Sequence, residues 1–160
     1  MKADKPPRIV ESDSAARTEE IGAEHAGELG PGDVVLVSGD LGAGKTTLIR
    51  GACHALGVEG PVRSPTFTLG VRHSGRVAVS HIDLYRLESL DTEDPGLLDD
   101  YFEGDGVVFV EWPERAGWDE RTAFRVAIEH GGGDRRRVAI TGHPRLRGRQ
   151  GGPRRSLPGR

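Results

Sequence analysis

At 160 residues the chain is long enough for one compact domain and too short for two of ordinary size; its single cysteine, Cys53, excludes a disulfide framework or a cysteine-rich zinc site. The composition is 35% hydrophobic and only 5% aromatic, so aliphatic side chains must form most of the core, and no run approaches the roughly 18–20 apolar residues of a membrane span. The formal net charge is −3, but residues 144–160 hold six arginines and no acid, which leaves residues 1–143 at −9, an acidic body that argues against a broad nucleic-acid-binding face.

In chain order, residues 1–8 are polar, contain Pro6-Pro7 and read as a loose N-terminus with no apolar leader after Met1. Cytosol is the expected compartment. Asp13 or Ser14 can cap a helix running to about Leu29, stopped by Gly30-Pro31-Gly32. Val34 to Val37 is a continuous apolar run, the pattern of a strand buried on both faces. A glycine loop follows, then a helix from about Lys45 to Leu56 ending at Gly57. Thr66 to Val71 alternates as a strand, Val77 to Leu84 is another strand candidate, and Leu97 to Phe102 reads as a short helix. Val107 to Val110 is a second buried-type run, and Arg125 to Glu129 and Arg137 to Thr141 read as late strands joined across Gly131-Gly132-Gly133. Strands alternating with helices predict a single α/β domain over residues 9–143. Residues 144–160 lack apolar periodicity and are expected to be a disordered tail.

Residues 39–46, Gly-Asp-Leu-Gly-Ala-Gly-Lys-Thr, satisfy the phosphate-loop pattern G-x-x-x-x-G-K-[ST]. Its glycines let successive backbone N–H groups turn into one concavity that fits phosphate oxygens, and the helix beginning at Lys45 points its positive end at the same place. The Lys45 ammonium can reach the β- and γ-phosphates, and the Thr46 hydroxyl can ligate Mg²⁺. Lysine is rare here, at positions 2, 5 and 45 alone, so a chance match is expected in fewer than about one chain in a hundred of this composition.

Such a loop needs carboxylates at the ends of buried strands. Asp83 closes Val79-Ser80-His81-Ile82, and Glu111 closes Val107 to Val110. Glutamate reaches further, and the chain must leave the sheet at Trp112-Pro113 just after it, so Glu111 is expected to stand in the site mouth and act on the attacking water, with Asp83 shaping the Mg²⁺ geometry. The guanine-recognising Asn-Lys-x-Asp is impossible with these lysines, which excludes an ordinary GTPase. An ATPase, a small-molecule kinase and a nucleotide-sensing binding module remain. A kinase would normally carry an arginine-rich lid, and no long helical insertion separates Asp83 from Glu111.

Four segments in order, Gly39 to Thr47, Ser64-Pro65-Thr66-Phe67-Thr68-Leu69, His81-Ile82-Asp83-Leu84-Tyr85-Arg86-Leu87 and Val110-Glu111-Trp112-Pro113-Glu114-Arg115, resemble the bacterial TsaE family over about Val10 to Thr141. The resemblance implies a small P-loop NTPase domain with a mostly parallel, mixed central sheet flanked by helices. It implies ATP and Mg²⁺ as cofactors and hydrolysis that is weak alone and stimulated by the TsaB and TsaD proteins. In that family ATP turnover resets a complex that makes threonylcarbamoyladenosine in tRNA, and tRNA is reached only through the complex. Carried onto this chain, the resemblance gives Leu41, Gly42, Ala43, Gly44, Lys45, Thr46 and Thr47 to the phosphates, and Thr46, Glu111 and Asp83 to the metal. Thr66 falls in a nucleotide-sensing switch, and Ala15 and Arg135 lie near the base, with Arg136 or Arg137 as alternatives to the latter. Trp112, Tyr85 and Arg86 are implied to hold the switch or a partner. His73 stands near a point where the family usually has a tyrosine and reads as a surface loop residue. His81 and Cys53 read as core residues.

Overall fold

The computed structural model describes residues 6–65, 68–87, 96, 98–115 and 124–142. The elements run β1 Arg8–Ser12, α1 Ala15–Ala26, β2 Val34–Ser38, α2 Lys45–Ala55, β3 Gly70–His73, β4 Val79–Asp83, α3 Asp99–Phe102, β5 Val107–Glu111, a 3-10 turn at Pro113–Arg115, β6 Phe124–His130 and β7 Arg136–Thr141. One seven-stranded sheet has the order β1-β7-β6-β2-β5-β4-β3. β2 sits at its centre, parallel to both β6 and β5, and β4 continues the parallel set beyond β5. The edges are antiparallel: β3 on β4, and β7 on β6 with β1 outside it. This is the expected single α/β domain with a mostly parallel, mixed sheet.

The two unbroken apolar runs became the strands that need both faces covered. Val34, Val35, Leu36 and Val37 are all buried, as are all five residues of β5. One face packs Val35, Val37, Val107 and Phe109 against Ile21 of α1 and Leu48, Ile49, Ala52 and Cys53 of α2. The other packs Val34, Leu36, Val108 and Val110 with Ile82, Leu84 and Leu98. Burial pushes the Cys53 thiol up to about 12, which makes it an inert core group.

Helix α1 starts where the sequence predicted. Ser14 is extended, and its hydroxyl accepts from the Arg17 N–H at 3.1 Å, a cap worth about 1 kcal/mol. The helix ends at Ala26, three residues short of the expected Leu29, with Gly27 to Leu29 closing it in turns. Helices α1 and α2 meet at two glycines. A Cβ on Gly22 would fall 2.0 Å from the Leu48 carbonyl oxygen, and one on Gly51 would fall 1.9 Å from that of Glu19. Only glycine allows this approach, which presses α2 onto the sheet beside the loop that precedes it.

Three boundaries differ from expectation. Arg8–Ser12, partly assigned to a loose N-terminus, is a strand, because β7 supplies a partner that local sequence cannot reveal. The strand expected from Thr66 begins at Gly70; Thr66 and Phe67 lie outside the described residues, and Thr68 and Leu69 form a bend before the ladder with β4. The short helix holds only Asp99–Phe102, with Leu97 outside the described residues. The late strands form the expected antiparallel pair. The tail 144–160 lies outside the described residues.

His25 on α1 is fully buried with its ring edge against Phe124, and neither ring nitrogen has a hydrogen-bond partner among the described residues. Its Nδ1 lies 3.8 Å from Glu28 Oε2, close enough to soften the cost of a charge but not to pair it well. Burial holds its pKa below the ordinary histidine value, with Glu28 opposing and Arg8 assisting. The unfolded chain takes this proton near pH 6.5 and the folded chain resists it, so stability is full above about pH 6.5 and falls as the pH drops below it. The stability of His25→Phe is expected to fall less between pH 8 and pH 5.5 than that of the wild type. Urea midpoints of both proteins at the two pH values measure the difference; parallel losses would contradict the assignment.

Candidate functional site

The site lies at the carboxyl ends of the central strands. Register puts Val37, Glu111 and Asp83 in one line across β2, β5 and β4, so the loop leaving β2 and both acids share one sheet edge. In open α/β sheets that edge is where ligands bind. Residues 39–44 lead from β2 into α2, and Gly44, at φ +104°, turns the chain into the helix through a conformation that a side chain would strain. The first-turn N–H groups of α2 have no carbonyl a turn earlier to bond and face the cavity with the helix's positive end.

That cavity has a volume of about 420 Å³. Of the residues assigned from the sequence to nucleotide, metal, switch or partner, Leu41, Gly42, Gly44, Lys45, Thr46, Thr47, Asp83, Tyr85, Arg86, Glu111 and Trp112 line it, and Ser64 lines it too; Ala15, Ala43 and Arg135, with its alternatives Arg136 and Arg137, do not. Thr66 lies outside the described residues. Ala43 is fully buried behind the loop. Ala15 is the exposed first residue of α1, one turn before Thr18, whose methyl group would lie 3.8 Å from a Cβ on Gly44.

Lys45 is 6% exposed, and its ammonium donates to the carbonyls of Gly39 at 2.7 Å and Asp40 at 2.8 Å. It also lies 4.4 Å from the centroid of the Trp112 ring. Burial lowers its pKa, and Glu111 and Asp83 work against that shift. Trp112 has φ +57°, the one non-glycine residue at positive φ among those described. A bulky residue there costs roughly 1–3 kcal/mol, a strain that tends to gather at functional positions. The indole lies against Lys45, and the Tyr85 ring packs on it in a tilted arrangement at 4.8 Å between centroids.

The two acids differ in surroundings. Glu111 is 2% exposed; Thr46 donates its hydroxyl hydrogen to it, 3.1 Å from Oε1 and 3.3 Å from Oε2, and His81 Nε2 lies 2.8 Å from Oε2. It is therefore an enclosed, tied carboxylate rather than one standing in the mouth. Asp83 is half-buried; its Oδ2 accepts from the Ser64 hydroxyl at 2.7 Å and its Oδ1 from the Tyr85 N–H at 2.9 Å. Ser64 thereby pins the segment before Thr66 to the sheet edge. Among the described residues no three His, Cys, Asp or Glu side chains form a metal cage. Mg²⁺ commonly uses one or two carboxylates plus substrate phosphates instead. The donors fit it: Thr46 spends its hydrogen on Glu111, which leaves hydroxyl lone pairs for a hard cation.

Of the arginines in the late hairpin, Arg136 reaches the loop. Its Nε donates to the Ala43 carbonyl at 2.9 Å, and its Nη1 bonds the carbonyls of Gly133 and Arg135. Arg135 is exposed in the turn, and Arg137 pairs with Glu11 on the surface. Parity is the signal that separates them, because Arg136 shares a face with the buried Val138 and Ile140. His73 ends β3 half-buried, and burial lowers its pKa.

A strand, a glycine loop and a helix N-terminus, with two strand-end acids beside them, sit at the carboxyl edge of a single α/β domain with a mixed, mostly parallel sheet. The family model described as threonylcarbamoyl adenosine biosynthesis protein TsaE matches residues 12–138. The chain belongs to the TsaE family. It is 43% identical over 115 residues to a tRNA threonylcarbamoyladenosine biosynthesis protein TsaE of Bacillus subtilis, covering 69% of this chain and 70% of that one. It is 40% identical over 132 residues to the Streptomyces coelicolor protein of the same description, covering 77% and 88%. The fold matches the crystal structure of Bacillus subtilis YdiB with a TM-score of 0.70 at 30% identity, covering 88% of each chain.

Arg136→Ala removes the brace on Ala43, and a net hydrogen bond of about 1 kcal/mol corresponds to roughly fivefold faster opening. Amide hydrogen exchange at Gly42 to Lys45 is expected to speed up by about that factor in Arg136→Ala and to stay unchanged in Arg135→Ala.

Proposed function

We propose that this chain is an Mg²⁺-dependent ATPase of tRNA threonylcarbamoyladenosine biosynthesis. It acts in the cytoplasm with the TsaB and TsaD proteins, resets their complex between turnovers and reaches tRNA only through them. Family membership and relatives named for that biosynthesis support the pathway. The observation that carries the chemistry is the hydrogen bond from the loop's Thr46 to the strand-end Glu111. No described helix is long and apolar enough to cross a membrane.

Phosphoryl transfer to water asks a protein for positioning and for charge opposite the phosphate oxygens. The α2 N–H groups and the Gly42 to Lys45 backbone hold the phosphates, and Lys45 leaves the Gly39 and Asp40 carbonyls to meet the γ-phosphate side. Thr46, its hydroxyl fixed by Glu111, would be the direct ligand of a Mg²⁺, and the cation held there would supply positive charge opposite the phosphate oxygens. Asp83, the more open acid, orients the attacking water, and through Ser64 it links that water to the Thr66 segment. This division reverses the roles expected from side-chain reach, because Glu111 is enclosed and tied to Thr46. Trp112 and Tyr85 close the mouth beside Arg86, where a partner can sense the nucleotide.

Turnover measured against Mg²⁺ concentration, with and without purified TsaB–TsaD, tests this reading. The wild type is expected to hydrolyse ATP slowly alone and faster with the pair; a kinase would be indifferent to them. Glu111→Gln is expected to need more Mg²⁺ for half-maximal turnover. Asp83→Asn is expected to lose one to two orders of magnitude in stimulated turnover, about 1.4–2.7 kcal/mol in the barrier, without rescue by Mg²⁺. The opposite pattern would restore the roles expected from the sequence.

A further inference from the structure

Glu111 is held from two sides. Thr46 of α2 donates to it from the loop side, and from the neighbouring strand His81 places Nε2 2.8 Å from Oε2. His81 stands two residues before Asp83 on β4, on the same face, so its ring lies behind the acids rather than in the cavity. It is 0% exposed, and among the described residues its Nδ1 has no hydrogen-bond partner. Packing alone does not account for an imidazole here. A leucine or phenylalanine fills a core position without leaving a ring nitrogen dry, and an unpaired buried polar atom costs free energy.

The unpartnered Nδ1 also selects the tautomer. With the hydrogen on Nε2, the ring gives Glu111 a donor and leaves only a lone pair at Nδ1. With the hydrogen on Nδ1, a lone pair would face the carboxylate and a buried N–H would go unmatched.

We propose that His81 is a positioning residue for magnesium: its Nε2–H fixes the Glu111 carboxylate, so that Thr46 turns its hydrogen to Glu111 and its lone pairs to the cation. The proposal rests on the Mg·ATP reading above and adds a residue to it. Glutamate has three side-chain torsions, and a single hydroxyl rotor does not hold them. The buried ring does, because its strand sets its position. Partners behind a metal-side residue commonly change metal affinity or activity 10- to 100-fold when removed.

The test uses the full chain as wild type, His81→Phe, which fills the ring volume without a donor, and His81→Gln, which keeps an N–H at similar reach. ATP binding is titrated by calorimetry across Mg²⁺ concentrations and again in EDTA. His81→Phe is expected to raise the Mg²⁺ needed for half-maximal binding about tenfold, with binding in EDTA unchanged, and His81→Gln to recover most of the loss. Unchanged Mg²⁺ dependence in His81→Phe overturns the proposal. So does equal loss with and without Mg²⁺, or a folded His81→Gln no better than His81→Phe. If His81→Phe does not fold, nitrogen-15 spectra of the wild-type imidazole decide: hydrogen on Nε2 supports the proposal, and a bare Nε2 with hydrogen on Nδ1 alone overturns it. A wild type that binds no ATP overturns the nucleotide reading itself, and this proposal with it. Wild-type binding beside an indifferent His81→Phe overturns the proposal alone.

Discussion

The buried carboxylate of Glu111 hangs between the Thr46 hydroxyl, 65 residues away in sequence, and the His81 ring, 30 residues away. An acid taken out of water without partners is strongly disfavoured, so its burial makes sense only when both neighbours are in place. That requirement fixes the rest. β5 must lie between β2 and β4 in a register that sets Val37, Glu111 and Asp83 in line. α2 must lie close enough to bring Thr46 down to β5, and Gly22 and Gly51 permit that approach by letting α1 press on α2.

Polar and strained groups then collect at one edge of an otherwise aliphatic core. Lys45 is buried on loop carbonyls and under the Trp112 indole, and Trp112 is held at a positive φ. These features cost stability locally. The double-sided packing of β2 and β5 and the α1–α2 contact supply the rigid frame that tolerates them.

Much of this was legible in the sequence where the signal is contiguous. The glycine loop is one run of eight residues, β2 and β5 are unbroken apolar runs, and Ser14 is a cap with a local mechanism. What depends on distant pairing was not. β1 is five residues with a mostly exposed pattern and becomes a strand only because β7 lies beside it. The start of β3 is set by β4 rather than by its own alternation. Side-chain reach and the Trp112-Pro113 exit from the sheet put Glu111 in the mouth, whereas register and the Thr46 and His81 contacts enclose it. Arg136 could have been preferred to Arg135 by its parity with Val138 and Ile140. No sequence cue exists for the backbone of Trp112.

The central claim is that the loop from Gly39 to Thr46 is a phosphate site whose lysine serves the ligand and not the fold. Calorimetric titration of Mg·ATP into wild-type and Lys45→Ala protein, with thermal melting of both, tests it most directly. Lys45→Ala is expected to keep an intact melt and to lose or strongly weaken binding. A folded Lys45→Ala that binds Mg·ATP as the wild type does would contradict it.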